Sequence, residues 1–230
     1  MIEIIFEDDY LIVVNKPPGL LIHRTKISED KVFLLQQLRD QVGFHLYTIH
    51  RLDRGTSGLV IFGKKPEYAA SVHQLFMDHQ IDKEYIAVVR GWVPDEGVID
   101  YPLSDKEMNQ QVALDAVTHY RTISKSEIPS PIGLRYPTAR FSLVSIQPEH
   151  GRRHQIRKHF AHLRHPVIGD RRHGDVKHNN YFRDIACISR MLLHAKQLNF
   201  RHPYTGAPIS LFAPYDEAFK QAVTYCNLKN

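Results

Sequence analysis

Apolar and polar positions alternate with a period of two over residues 3–6 and 11–15, which predicts two short strands joined by a turn at Asp8-Asp9. Asn15-Lys16-Pro17-Pro18-Gly19 ends that regularity, because neither proline can donate to a ladder. Residues 32–42 take helical spacing, with Val32, Leu35 and Leu38 on one face. The apolar run 59–62 reads as a buried strand. Pro66 suits the first position of a helix over 66–79 that turns Ala69, Val72, Leu75 and Phe76 inward. Residues 84–90 alternate again as a strand, and from 102 to 115 the pattern fades into a polar linker.

Strands are expected at 117–123 and 139–146, separated by the proline-bearing loop 126–137. Residues 152–163 read as a helix, 165–180 as irregular, 192–200 and 209–212 as strands, and 215–226 as a final helix. Strands dominate, and helices fall between them without a steady βα alternation. The expected class is therefore α+β, with a mixed, largely antiparallel central sheet flanked by helices and loops. The 230 residues are expected to form a single domain without an appended module.

Composition changes this picture in one place. The formal net charge is +5, yet residues 150–172 alone carry +6, so the rest of the chain sums to −1. Arg152, Arg153, Arg157, Lys158, Arg164, Arg171 and Arg172 lie there against the single acid Asp170, interleaved with five histidines. Such a segment has the footprint of a phosphate-binding surface, or of a solvated charged face. Two scattered cysteines, Cys187 and Cys226, suit neither a disulfide framework nor a zinc site. The acidic start and the lack of a long apolar stretch favour a cytoplasmic protein over a secreted or membrane one. His159, His162 and His165 are spaced for a helix, but steps of three drift around its face and the third precedes Pro166, so no metal is expected.

The strongest local feature is His50-Arg51-Leu52-Asp53-Arg54-Gly55-Thr56-Ser57-Gly58. Two glycines and two hydroxyl residues allow a sharp turn just before a buried strand, with Asp53 either a catalytic carboxylate or the cap of its own loop. This run resembles the His-Arg-Leu-Asp-x-x-Thr-Ser-Gly motif of the RluA-type pseudouridine synthases. Asp82-Lys83-Glu84-Tyr85 is similar to that family's Lys-x-Tyr segment, and residues 150–157 to its Thr-Gly-Arg-x-His-Gln-Ile-Arg segment. Val14-Asn15-Lys16-Pro17, Leu193-His194-Ala195 and His202-Pro203 also fit, in order along nearly the whole chain. His150 stands where the family has threonine.

The resemblance implies an isomerase with the pseudouridine synthase fold that needs no cofactor. It implies that Asp53 is the essential carboxylate, acting as a nucleophile or by removing a ribose proton. Tyr85 would lie against the target base, and Arg157 would hold the carboxylate ionised. Read as a helix, residues 152–163 turn Ile156, Phe160 and Leu163 inward and put Arg157 on the border of that stripe, with Arg152, Lys158 and His159 farther round. Arg51 would help extrude the uridine, since chemistry on a base requires unstacking it. Arg54, Lys83, Arg152, Arg153, Lys158, Arg164, Arg171 and Arg172 are the candidate RNA contacts. The tracts 116–121, 135–138 and 162–170 resemble family members that modify tRNA, implying uridine 65 of tRNA as target; ribosomal RNA is the alternative partner.

Overall fold

The computed structural model describes residues 1–23, 32–105, 110–133 and 136–229. Residues 106–109 of the expected linker, and Arg135, lie outside the described residues. The chain divides into two compact units, Met1–Lys83 with His194–Tyr215, and Glu84–Leu193 with Asp216–Asn230. The architecture is α+β, with mixed, largely antiparallel strand pairing, as the sequence predicts.

In the first unit, β1 (Glu3–Glu7) and β2 (Leu11–Lys16) pair antiparallel, and β2 pairs antiparallel with β4 (Ser57–Gly63). The short β3 (Tyr47–Thr48) lies on β4, and β4 meets β11 (Leu193–Arg201) in a parallel pair. A hairpin then adds β12 (Pro208–Phe212) to β11. Two helices complete the unit. In α1 (Leu34–Val42) the buried positions are Leu34 and Leu38; of the predicted trio Leu38 is buried, Leu35 half-buried and Val32 half exposed. Helix α2 (Pro66–Met77) has Pro66 in its first turn and buries Ala69 and Val72. These two pack with Leu11, Val13, Leu59, Ile61 and Leu198 in one apolar cluster.

The second unit is built on β5 (Asp82–Arg90), β6 (Glu96–Asp100), β9 (Val117–Ile128) and β10 (Ala139–Pro148). Strand β10 pairs antiparallel with β5 and β9, and β9 with β6. The predicted polar linker is instead a hairpin of β7 (Leu103–Asp105) and β8 (Gln110–Leu114), a sheet of its own. Helix α3 (Gln155–His162) packs Phe160 and Ile156 against Val144 and Ile146. The stretch expected to be irregular contains α4 (Val176–Asp184), whose first turn is capped by Asp175 accepting from the His178 amide at 2.9 Å. Asp216 caps α5 (Glu217–Tyr225) in the same way. No described helix is long and apolar enough to cross a membrane.

Two contacts fix β4, the strand that leaves the Asp53 loop. His50 Nε2 accepts the Ile61 amide at 3.0 Å, and its ring lies 4.5 Å from that of Phe76. Burial, aided by the charges of Lys83 and His73, pushes its pKa down from 6.5 to about 3. Gly58 has φ +109°, and a Cβ there would lie 2.2 Å from the Ala195 carbonyl oxygen.

Gly58→Ala is expected to cost roughly 2–3 kcal/mol in urea unfolding, because both backbone conformation and space exclude a methyl; an unchanged midpoint would contradict the β4–β11 contact. The lowered His50 pKa means that the unfolded chain binds the proton first as pH falls. Its stabilisation is therefore complete above pH 6.5 and erodes below it, by up to about 1.4 kcal/mol per unit. His50→Asn should flatten the stability–pH profile between pH 6.5 and 4 relative to the parent; parallel profiles would show that His50 is not held neutral.

Candidate active site

The loop that carries Asp53 is bolted from beneath by a lysine. Lys16 ends an inward-facing strand of Leu11, Ile12, Val13 and Val14, and its side chain is completely buried. Its ammonium donates to the carbonyls of Pro17 (2.9 Å), Leu20 (2.8 Å) and Arg54 (3.2 Å). A buried ammonium is costly unless its donors are matched, and here three carbonyls converge on it. Two further bonds join the same segments: the Gly19 amide donates to Arg54 O at 2.8 Å, and Arg54 Nε to Gly19 O at 3.0 Å. The turn itself is closed by the Thr56 amide donating to Asp53 O at 3.1 Å.

Beyond Asp53 the loop is held by a buried serine–histidine pair. Ser57 Oγ lies 2.8 Å from His194 Nδ1, and His194 Nε2 lies 3.2 Å from Ala213 O. Because a carbonyl can only accept, the proton sits on Nε2, and Nδ1 accepts from the serine hydroxyl. Asp53 itself is half-buried, while Arg51 and Arg54 are exposed. Lys83 is half-buried; burial lowers its pKa against the opposing pull of Asp82. The result in this unit is one carboxyl-bearing residue on a rigid turn, with cationic side chains on the same run.

In the second unit Tyr85 lies on β5 opposite Ile146, half-buried against the apolar cluster. Arg157 is not on a border: it is buried along with Gln155, Ile156, His159 and Phe160, so the inward face of α3 is wider than the apolar stripe alone. Its Nε and one terminal nitrogen bond both oxygens of Asp170, at 2.7 and 2.8 Å. The Arg172 and His173 amides also donate to Asp170, at 2.9 and 3.1 Å. Burial alone would raise the Asp170 pKa, but the Arg157 bonds and charge together with those amides outweigh it and hold the carboxyl below its usual range. The only acid of the basic segment is therefore the residue that aims Arg157. Sequence reasoning counted that acid without assigning it a partner.

The other basic residues separate into two groups. Arg153, Arg164, Arg171 and Arg172 are exposed. Lys158, half-buried, and Arg152, itself exposed, bond main-chain carbonyls, Ser104 O at 3.0 Å and Asp115 O at 3.1 Å. Arg152 and Arg153 precede α3 rather than lying on it, because His154 takes a left-handed conformation (φ 56°) and the helix starts after it. His154 Nδ1 lies 2.9 Å from His173 Nε2. The three helix-spaced histidines do not converge. His159 bonds Thr118 and Tyr101, His162 stacks on the Tyr101 ring, and His165 donates to Arg90 O. His150, in place of the family threonine, accepts the Val117 amide at 3.2 Å, so the position serves the main chain here.

With this geometry established, comparison with known proteins gives a consistent result. The model of the RNA pseudouridylate synthase family matches residues 10–162. The "tRNA pseudouridine synthase C" of Pectobacterium carotovorum is 46% identical over 97% of this chain, which spans 62% of that protein's length. Proteins of the same name from Vibrio parahaemolyticus and Salmonella typhimurium are 43% and 45% identical over 97% of this chain, covering 94% and 89% of their own. Among solved structures, Human RNA Pseudouridylate Synthase Domain Containing 4 superposes with a TM-score of 0.76 at 22% identity, over 99% of this chain and 94% of that one, and so supports the fold. The chain belongs to the RNA pseudouridylate synthase family.

Proposed function

We propose that this protein isomerises a uridine of tRNA, at position 65, to pseudouridine, with Asp53 as the essential carboxylate of one catalytic domain working in the cytoplasm. The observation that carries the reading is the loop itself. Lys16, the Ser57–His194 pair and Gly58 all hold it, far more bracing than a solvent-facing turn needs. The family membership supplies the reaction, and the names of the relatives supply the RNA.

The chemistry is a rearrangement within one nucleoside. The bond from uracil N1 to the ribose breaks, the base turns, and C5 takes its place, so no atom is gained or lost. A single carboxylate suffices, acting on the sugar or the base as a nucleophile or removing a ribose proton. Two-carboxylate glycosidases differ because they must also activate water. Tyr85 is the proposed ring against the target base, where it stacks and assists departure of the C5 proton. Arg157 is the proposed catalytic cation. Bonds to both oxygens of Asp170 fix the plane of its guanidinium. Arg51 is proposed to support the extruded base, and Arg54 and Lys83 to contact the RNA from the same unit. Arg153, Arg164, Arg171 and Arg172 supply the sequence-independent phosphate contacts.

Asp53→Asn is expected to lower isomerisation by roughly 10³-fold or more while leaving RNA affinity within about twofold; near-parental turnover would remove Asp53 from the chemistry. Pseudouridine mapping in cells with and without the protein should show loss at position 65 of tRNA, whereas loss confined to ribosomal RNA would establish the other substrate. Replacing Arg171 and Arg172 together by Glu should weaken RNA binding and reduce the slope of log affinity against log salt by about two. An unaltered slope would exclude this loop from the interface.

A further inference from the structure

The basic segment has more contacts with its own chain than a phosphate-binding surface requires. The hairpin of β7 and β8 joins the rest of the second unit through a neck at which the Tyr101 amide donates to Ala116 O at 3.2 Å. On the entering strand, His159 Nε2 donates to Tyr101 O at 3.0 Å, the His162 ring stacks on Tyr101 at 3.9 Å, and Lys158 Nζ donates to Ser104 O at 3.0 Å. On the leaving strand, Arg152 Nε donates to Asp115 O at 3.1 Å and Gln155 Nε2 to Val117 O at 2.9 Å. Thr118 Oγ1 lies 2.9 Å from His159 Nδ1, so one imidazole bonds both sides of the neck.

The hairpin gains little from packing. Its strands have three and five residues. Leu103 is buried, but Val112 is 73% exposed. An isolated two-stranded ribbon is marginal in water, so its direction must be set where it joins the body. The contacts at that joint come from α3 and the turn before it, and they include two of the cations expected on RNA.

We propose that α3 and its lead-in form an internal clamp on this hairpin, with Arg152, Lys158, His159 and His162 as positioning residues, and that the counterion-releasing contacts to RNA come from Arg153 and the arginines of residues 164–172 instead. The proposal rests on the RNA-modifying reading for its second half only. One of the three Lys158 donors is spent on Ser104 O, which tethers the ammonium to the neck, and His159 has no exposed surface. Each phosphate contact contributes about 0.9 to the salt slope on a duplex, so removing a cation that serves only the neck leaves that slope unchanged.

The test uses the full chain with Lys158→Met, which keeps the aliphatic stem, Arg152→Gln at the opposite strand, and Arg171→Gln as the contrast. Hydrogen exchange is measured on the free proteins, and the salt dependence of binding on a tRNA transcript. The clamp predicts that Lys158→Met and Arg152→Gln lower protection of the amides in 103–105 and 110–114 about tenfold, with β9 and β10 unaffected and the salt slope unchanged. Arg171→Gln should lower the slope by about 0.9 and leave exchange alone. Unaltered protection in both clamp variants, or a slope loss near 0.9 in Lys158→Met, would overturn the proposal. Failure of every protein to bind the transcript would count against the tRNA reading, while the exchange arm would still decide whether the clamp exists.

Discussion

A charged amine has been taken out of water beside the one turn on which the proposed chemistry depends. Lys16 has no exposed surface, and its ammonium survives there because the carbonyls of Pro17, Leu20 and Arg54 replace its hydration. The geometry runs both ways. Two stretches of chain that would otherwise expose unpaired carbonyls are drawn to one point, and the Asp53 backbone is thereby fixed to the Pro17-Pro18-Gly19 turn. Loss of the ammonium would leave buried acceptors unmatched, which costs more than never having had them. The proline pair is compatible with this arrangement, since prolines supply acceptors without competing donors.

Precision of placement follows from layered support of this kind. The first layer around Asp53 is main chain, closed by the Thr56 amide; the second is the Lys16 ammonium and the Ser57–His194 pair; the third is the apolar cluster beneath β4. Arg157 is treated similarly in its own unit, where Asp170 and two backbone amides determine the plane of its guanidinium. In both places a polar group is held by partners that are themselves held, which preorganises an electrostatic environment.

Much of the arrangement is written in the sequence, and what is missing has physical reasons. Strands with strict alternation or continuous apolar runs, such as β2, β4 and β10, are legible because one or both faces are buried along their length. The hairpin of β7 and β8 is not, since its strands are short and, of their larger apolar residues, Leu103 is buried while Val112 and Leu114 are exposed. Strand β6 has only Val98 and Ile99 as apolar residues, and Val98 is 58% exposed. Helix α4 is announced chiefly by Asp175, which only reads as a cap once its partner amide is known. Asp53 was visible from its motif. The roles of Lys16, Asp170 and His194 were not, because each is defined by a partner distant in sequence. A lysine closing the run Leu-Ile-Val-Val-Asn-Lys was the one available hint, since a charge at the end of a buried strand requires a reason. The basic segment was legible as a charge cluster, but charge density does not distinguish an arginine facing solvent from a lysine bonded to its own chain.

The parallel contact between β4 and β11 also orders events in time. Gly58 rests on Ala195, and Ser57 bonds a histidine 137 positions farther along the chain. A contact of that separation carries a large loop-closure entropy and forms late. During synthesis the N-terminal strands and the Lys16 bonds can form early, yet the turn lacks the Ser57–His194 part of its brace until residues 194–213 have left the ribosome. A nascent chain that already exposes its arginines therefore still lacks the last fixed point of that turn.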